Sequence, residues 1–230
     1  MPFPFQHDFC GYNWSNRCIY NRRASGNQTA KNMRHIGEKS VYLDLDNRQV
    51  IDPILKKCRR GDRRAQKKLF KLLYPYSMSI CLRYAHDEDE AMEVLNDGYL
   101  KIFSKIDQHN PNRSFKAWAR RIFINTAIDH YRKNEKHYHS LEIETVDTEH
   151  IKPDILDQLA ALDIQKMVSQ LPPAYRLIFN LYVIEGYNHR EIAEKIGISE
   201  GTSKSNLSKA RVRLKKMISN ASQEGSSNYG

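Results

Sequence analysis

Residues 189–216 read HREIAEKIGISEGTSKSNLSKARVRLKK, and their spacing decides the fold. Asn188 stands where an N-cap belongs, with Glu191 three residues on, and Ile192, Ala193 and Ile196 recur on one helical face. Gly197 suits a left-handed helix end, and Ser199 starts a second helix. The inward stripe of that second helix is Ser203, Leu207, Ala210, Leu214 and Met217. Its outward positions are Lys204, Ser205, Asn206, Ser208, Lys209, Arg211, Arg213 and Lys216, against the single early acid Glu200. Two short helices joined by a tight turn, the second cationic and rich in small polar side chains, form a helix-turn-helix suited to a DNA major groove. Lys can donate to guanine edges, Asn can pair with adenine, Ser can donate or accept, and Arg can neutralise phosphate. Ala193 is small where the helices would cross.

Working outward, the 230 residues carry 37 Lys and Arg against 27 Asp and Glu, a formal charge of +10 that favours a polyanionic partner. Cys10, Cys18, Cys58 and Cys81 form no CxxC pair and no closely spaced set with His, so no metal site and no cofactor is expected. They are expected to be reduced thiols, with Cys58 and Cys81 as small buried hydrophobes. No apolar run approaches the about 20 residues of a membrane span, and a cytoplasmic location is expected.

The rest of the chain reads as helices. Residues 1–48 lack any sustained period and are expected to be a disordered extension, with Met33 a possible biological start. Asp52-Pro53 is expected to open the first helix. After Gly61-Asp62, Ala65, Leu69, Leu72, Leu73, Tyr76 and Ile80 mark a helix bent near Pro75. Asp87 and Glu90 open the next, with Ala91, Val94, Leu95, Gly98, Ile102 and Ile106 inward and Glu93, Asn96, Asp97, Leu100, Lys101 and Ser104 outward. Ser114 caps a helix through residue 133, where Trp118, Ile122 and Ile128 pack and Arg120, Arg121, Asn125, Asp129, Arg132 and Lys133 form a charged and amide-bearing surface. Residues 134–156 read as a linker, a helix from Ile155 to about Ser169 follows, and after Leu171-Pro172-Pro173 an apolar helix runs to Gly186. The expected fold class is all-α: two helical domains, 49–133 and 157–219, joined by a flexible linker, with a helix-turn-helix in the second and a disordered tail over 220–230.

The segment LPPAYRLIFNLYVIEGYNHREIAEKIGISEGTSKSNLSKARVRL resembles the promoter-reading C-terminal domain of bacterial extracytoplasmic-function sigma factors, the small two-domain class of the sigma-70 family. GDRRAQKKLFKLLYPYSMSICLRYAHDEDEAMEVLNDGYLKIFSKI and FKAWARRIFINTAIDHYRKN are similar to the N-terminal domain of the same class, and the two matches lie in the right order over about residues 52–218. The resemblance implies a factor that binds core RNA polymerase and directs promoter-specific initiation. It places the β′ clamp helices against Glu93, Asn96, Asp97, Leu100 and Lys101, where Asn96-Asp97 replaces the more usual Gln-Glu. It assigns opening and capture of the minus-ten element to Asn110, Trp118, Asn125, Asp129 and Arg132. It assigns reading of the minus-thirty-five element to Lys204, Ser205, Asn206, Ser208, Lys209, Arg211 and Arg213, with Ser203 standing where the family usually has an apolar residue. A contact to the β flap and an antagonist anti-sigma protein are further implied partners. Residues 134–156 are too short for the middle domain of larger sigma factors.

Two other classes compete. An enzyme using Asp87, Glu88, Asp89 and Glu90 to hold Mg²⁺ is disfavoured, because consecutive acids on a helix point in different directions and no phosphate-cradling loop or nucleophile motif accompanies them. No catalytic residue is therefore assigned. An autonomous helix-turn-helix regulator binding operator DNA would need a dimer surface, and no heptad repeat supplies one.

Overall fold

In the computed structural model of the chain, the described residues are 45–141 and 166–226, with side chains described over 45–135 and 166–220. Expectations for residues 1–44, including Met33, Cys10 and Cys18, and for the helix over 155–165, fall outside those residues. Every regular element among the described residues is helical: α1 (Arg48–Arg59), α2 (Arg63–Tyr84), α3 (Glu88–Ser104), a 3-10 turn (Ile106–Gln108), α4 (Phe115–Leu141), α5 (Pro173–Phe179) running into a π-turn (Asn180–Ile184), α6 (His189–Ile196) and α7 (Glu200–Ser226).

Local chemistry sets most of the boundaries. Asp62 Oδ1 accepts from the N–H groups of Arg64 and Ala65 at 2.8 and 3.1 Å, which caps α2. Asp87 Oδ1 accepts from the Glu90 N–H at 2.8 Å, while Glu90 Oε2 accepts from the His86 N–H at 2.6 Å. The cluster of acids thus ends as a helix start, where negative charge is favourable. In α1 the structure departs from expectation. The helix begins at Arg48, capped by Asn47, and Pro53 lies inside it. Burial explains the earlier start: Leu45, Ile51, Ile54, Leu55 and Cys58 all face the core, and several buried apolar side chains, at roughly 1.5–3 kcal/mol each, outweigh one missing backbone hydrogen bond. Likewise α2 runs without interruption through Pro75, α4 continues past residue 133 to Leu141, and α7 continues to Ser226 where a disordered tail was expected.

Helices α1 to α4 form one bundle, with α2 against α1, α3 and α4 and α3 against α4. Leu69, Leu73, Ile80, Cys81, Leu95, Tyr99, Ile102, Ala119 and Phe123 are its fully buried centre, whereas Leu72 and Tyr76 of the expected stripe are half-buried. Gly98 is required there, because a Cβ would collide with the Phe123 ring. The Tyr99 hydroxyl donates to the Phe70 carbonyl at 3.1 Å and shares a bond with Ser77 Oγ at 3.1 Å, so the one polar atom it buries is satisfied. Burial pushes the Cys58 thiol up to about 11 and the Cys81 thiol up to about 12, as befits inert core positions.

Helices α5 to α7 form the second core, where Val168, Leu171, Ala210 and Leu214 pack with Met167, Tyr175, Phe179 and Met217. The two bundles touch through α5 against α2 and α4, and through α6 against α4.

Candidate nucleic-acid interface

The turn between α6 and α7 is built from the residues that the sequence singled out. Asn188 Oδ1 accepts from the Glu191 N–H at 2.9 Å and Glu191 Oε2 accepts from the Asn188 N–H at 2.8 Å, a complete capping box. Gly197 closes α6 at φ 87°, a left-handed conformation that glycine adopts without strain. Ser199 Oγ then accepts from the Thr202 N–H at 2.9 Å to start α7. Ile192, Ala193, Ile196, Ser203, Leu207, Ala210 and Leu214 are buried between and beneath the two helices, and Met217 is half-buried. The polar Ser203 is accommodated because its hydroxyl pairs with His189 Nδ1 at 3.0 Å. His189 in turn stacks on Tyr182 at 4.6 Å, and burial followed by the Lys204 charge lowers its pKa.

Along the outer face of α7, Lys204, Ser205, Ser208, Lys209 and Arg211 are exposed, and Asn206 and Arg213 are half-buried. Lys204 Nζ pairs with Glu200 at 2.7 Å, a solvent-exposed contact that a stronger anion can replace at little cost. Arg213 and Lys209 lie over the Tyr175 ring at 5.6 and 6.0 Å, and Arg211 over Tyr182 at 5.8 Å. The two tyrosines hold these long side chains along the helix rather than leaving them free.

The bundle of α1 to α4 presents a different surface. Asn125 and Asp129, one turn apart on α4, line a cleft of about 420 Å³ with Lys101, Lys105, Ile122, Ile128 and Lys195. Arg132 is exposed a turn further on. Asn110 is exposed in the preceding loop, where its Oδ1 accepts from the Asn112 N–H at 2.9 Å. Trp118 is half-buried, edge-on to the buried His109 at 5.3 Å and tilted against Phe115 at 5.6 Å. The deepest packing of α4 therefore falls to Phe115, Ala119, Phe123, Ile124, Ala127 and Ile128, with Trp118 and Ile122 nearer the edge than expected.

On α3, Glu93, Asn96 and Asp97 are exposed and Leu100 retains 47 % of its surface in solvent. Lys101 is drawn instead to Asp129 of α4 at 2.8 Å, so residues assigned to two different faces share one ion pair. His130 stands between Glu90 and Glu93 at 3.2 Å from each. Among the described residues no group of three His, Cys, Asp or Glu side chains could hold a metal ion, and no helix is long and apolar enough to cross a membrane.

What sequence reasoning missed are the contacts between the two bundles. Glu185 meets Arg120 and Tyr84, and Lys195 meets the Asn125 and Asp129 cleft. Only position three residues or more from any motif, and no local pattern, marks Glu185 in the sequence.

Comparison with known proteins now bears on this geometry. The model of sigma-70 region 2 matches residues 69–137, and that of sigma-70 region 4 matches residues 161–214. Curated relatives include the ECF RNA polymerase sigma factor SigW of Bacillus subtilis, 27 % identical over 182 residues, covering 74 % of this chain and 97 % of the relative. The RNA polymerase sigma-H factor of Pseudomonas aeruginosa is 25 % identical over 179 residues, covering 72 % and 92 %. Among solved structures, the sigma factor RpoE in complex with the anti-sigma factor NepR from Bartonella quintana is 24 % identical with a TM-score of 0.40, covering 66 % of this chain and 96 % of that one. With both family models matched in their proper order, the chain belongs to the sigma-70 family of RNA polymerase sigma factors and is similar to its extracytoplasmic-function class.

Proposed function

We propose that this chain binds core RNA polymerase in the cytoplasm and selects promoters by dividing the work between its two bundles. The observation that carries the reading is the fully capped α6 and α7 pair with a cationic outer face, lying C-terminal to a region 2 bundle. In this reading α7 enters the major groove of the minus-thirty-five element, with Lys204, Ser205, Asn206, Ser208 and Lys209 toward base edges and Arg211 and Arg213 toward phosphates. Asn110, Trp118, Asn125, Asp129 and Arg132 receive unstacked bases of the minus-ten element, where amide hydrogen bonds and an aromatic edge offset an unstacking cost of a few kcal/mol.

Exposed Asn96, Asp97 and Leu100, with Glu93 and Lys101 beside them, are the contact to the β′ clamp helices. An apolar side chain exposed among acids fits a partner surface that is cationic with an apolar pocket. The bundle of α5 to α7 meets the β flap, and an anti-sigma protein competes for these surfaces. The two domains of the proposal are 49–133 and 157–219, with α4 extending beyond the first. The autonomous-regulator reading is not favoured, since neither bundle offers a dimer seam of its own.

The test is equilibrium binding to sigma-free core polymerase. Asp97→Ala combined with Leu100→Ala is expected to weaken binding about tenfold, the equivalent of about 1.4 kcal/mol. Unchanged affinity would remove α3 from the polymerase interface.

A further inference from the structure

Polar contacts fasten the two bundles to each other at one point. Arg120 of α4 grips Glu185 with both edges of its guanidinium, Nε to Oε2 at 2.9 Å and Nη2 to Oε1 at 2.7 Å. Tyr84 of α2 donates its hydroxyl to Glu185 Oε1 at 3.1 Å, and Asn180 Nδ2 donates to the Arg83 carbonyl at 2.7 Å. The Glu185 side chain is only 6 % exposed, so its charge has left water and depends on these partners. Asn180 and Glu185 begin and close the π-turn after α5, tied by the Glu185 N–H to Asn180 carbonyl bond at 3.0 Å. The wider winding of that turn aims both side chains at the other bundle, and π-turns of this kind mark functional positions more often than structural ones.

Closing the bundles at this point affects both DNA-binding faces. Lys195 of α6 completes the cleft that contains Asn125 and Asp129. On the other side, Tyr131 and Glu135 of α4 face Thr202, Asn206 and Lys209 of α7 across a cleft of about 200 Å³. A major groove about 12 Å wide must surround a recognition helix to be read, and no duplex fits in that cleft. Asn96, Asp97 and Leu100 on α3 stay exposed outside both clefts.

We propose that Glu185, held by Arg120 and Tyr84, is a latch that keeps the free chain shut, covering both promoter-binding faces while the polymerase-binding face of α3 stays open. Polymerase then engages first, and separation of the bundles on its surface releases α7 and α4 to DNA. The proposal rests on the functional reading above for which faces meet promoter, but the latch itself is independent of it. A bidentate pair gives the closed state a specific geometry, and a single broken pair suffices to shift a balanced two-state equilibrium.

The experiment is small-angle scattering of the full free chain, with binding to a mixed-sequence DNA duplex measured by fluorescence anisotropy. Glu185→Arg and Arg120→Glu, each of which sets like charges against one another, are expected to raise the radius of gyration. Combining them as a charge swap is expected to return the radius to that of the wild type. Arg120→Glu is also expected to bind the duplex about tenfold more tightly, although it removes positive charge, because opening frees α7. Circular dichroism separates opening, which keeps helix content, from unfolding, and the milder Glu185→Gln replaces any variant that loses helix. An unchanged radius in the folded single variants, or a swap that stays expanded, overturns the latch. Run-off transcription on the same proteins reports the sigma activity separately: transcripts without a change in radius refute only the latch, and a change in radius without transcripts refutes only the functional reading.

Discussion

Helices α4 and α7 are each 27 residues long, and both are proposed to meet DNA, yet they are held in opposite ways. α4 buries a broad face, with Phe115, Ala119, Phe123, Ile124, Ala127 and Ile128 packed against α2 and α3. α7 buries a narrow seam of Ser203, Leu207, Ala210, Leu214 and Ile218 and turns cations outward. A broad apolar face fixes a helix rigidly, which suits a surface that must hold unstacked bases in place. A narrow seam leaves most of the helix circumference free for a groove, and its placement then relies on caps and on the turn before it.

That contrast can be broken first at Phe123. Phe123→Ala is expected to destabilise the α1 to α4 bundle by about 3–5 kcal/mol, read by urea denaturation, because a large side chain vanishes from a fully buried site. A loss below about 1 kcal/mol would mean that α4 is held by something other than its broad face.

The next effect concerns the outward cations. Lys204→Ala or Lys209→Ala is expected to lower promoter-specific transcription about tenfold and leave core polymerase affinity unchanged, since each loses a contact of roughly 1–3 kcal/mol at the DNA alone. Equal losses in transcription and in polymerase affinity would contradict the division of work between the bundles.

A smaller effect sharpens the claim about caps. Asn188→Ala is expected to cost about 1 kcal/mol, seen as a lower thermal midpoint of the α5 to α7 bundle, because the capping box loses one arm. Asn188→Ser should recover most of the loss.

The smallest effect is a pH dependence confined to the α1 to α4 bundle. Burial lowers the His109 pKa below its ordinary value near 6.5, and both its ring nitrogens are buried without a hydrogen bond. The unfolded chain therefore binds the proton better. Stability is complete above the unfolded value and falls as pH drops below it, and His109→Phe should flatten that slope in denaturation titrations between pH 7 and roughly pH 5.

The contrast between α4 and α7 also explains what the sequence made legible. Asn188, Glu191, Gly197 and Ser199 act on neighbours within four residues, so the turn and the seam of α7 could be read in order. The stripe of α3 was equally plain, although Tyr99, fully buried beside it, was not. On α4 the broad apolar face offers several phases to choose from, and the bulk of Trp118 drew attention away from Phe115, Ala119 and Phe123. The start of α1 was hidden because burial of Leu45 and Ile51, not the local Asp52-Pro53 signal, decides it. The pair of Arg120 and Glu185 spans 65 residues, and no periodicity connects positions that far apart.

Run-off transcription tests the central claim most directly. The purified chain is added to sigma-free bacterial core RNA polymerase on a library of linear DNA fragments from the source genome. The account predicts discrete transcripts that require the chain and whose mapped starts share two upstream elements. Absence of polymerase binding, together with salt-sensitive DNA binding by the chain alone, would contradict it and point to an autonomous regulator.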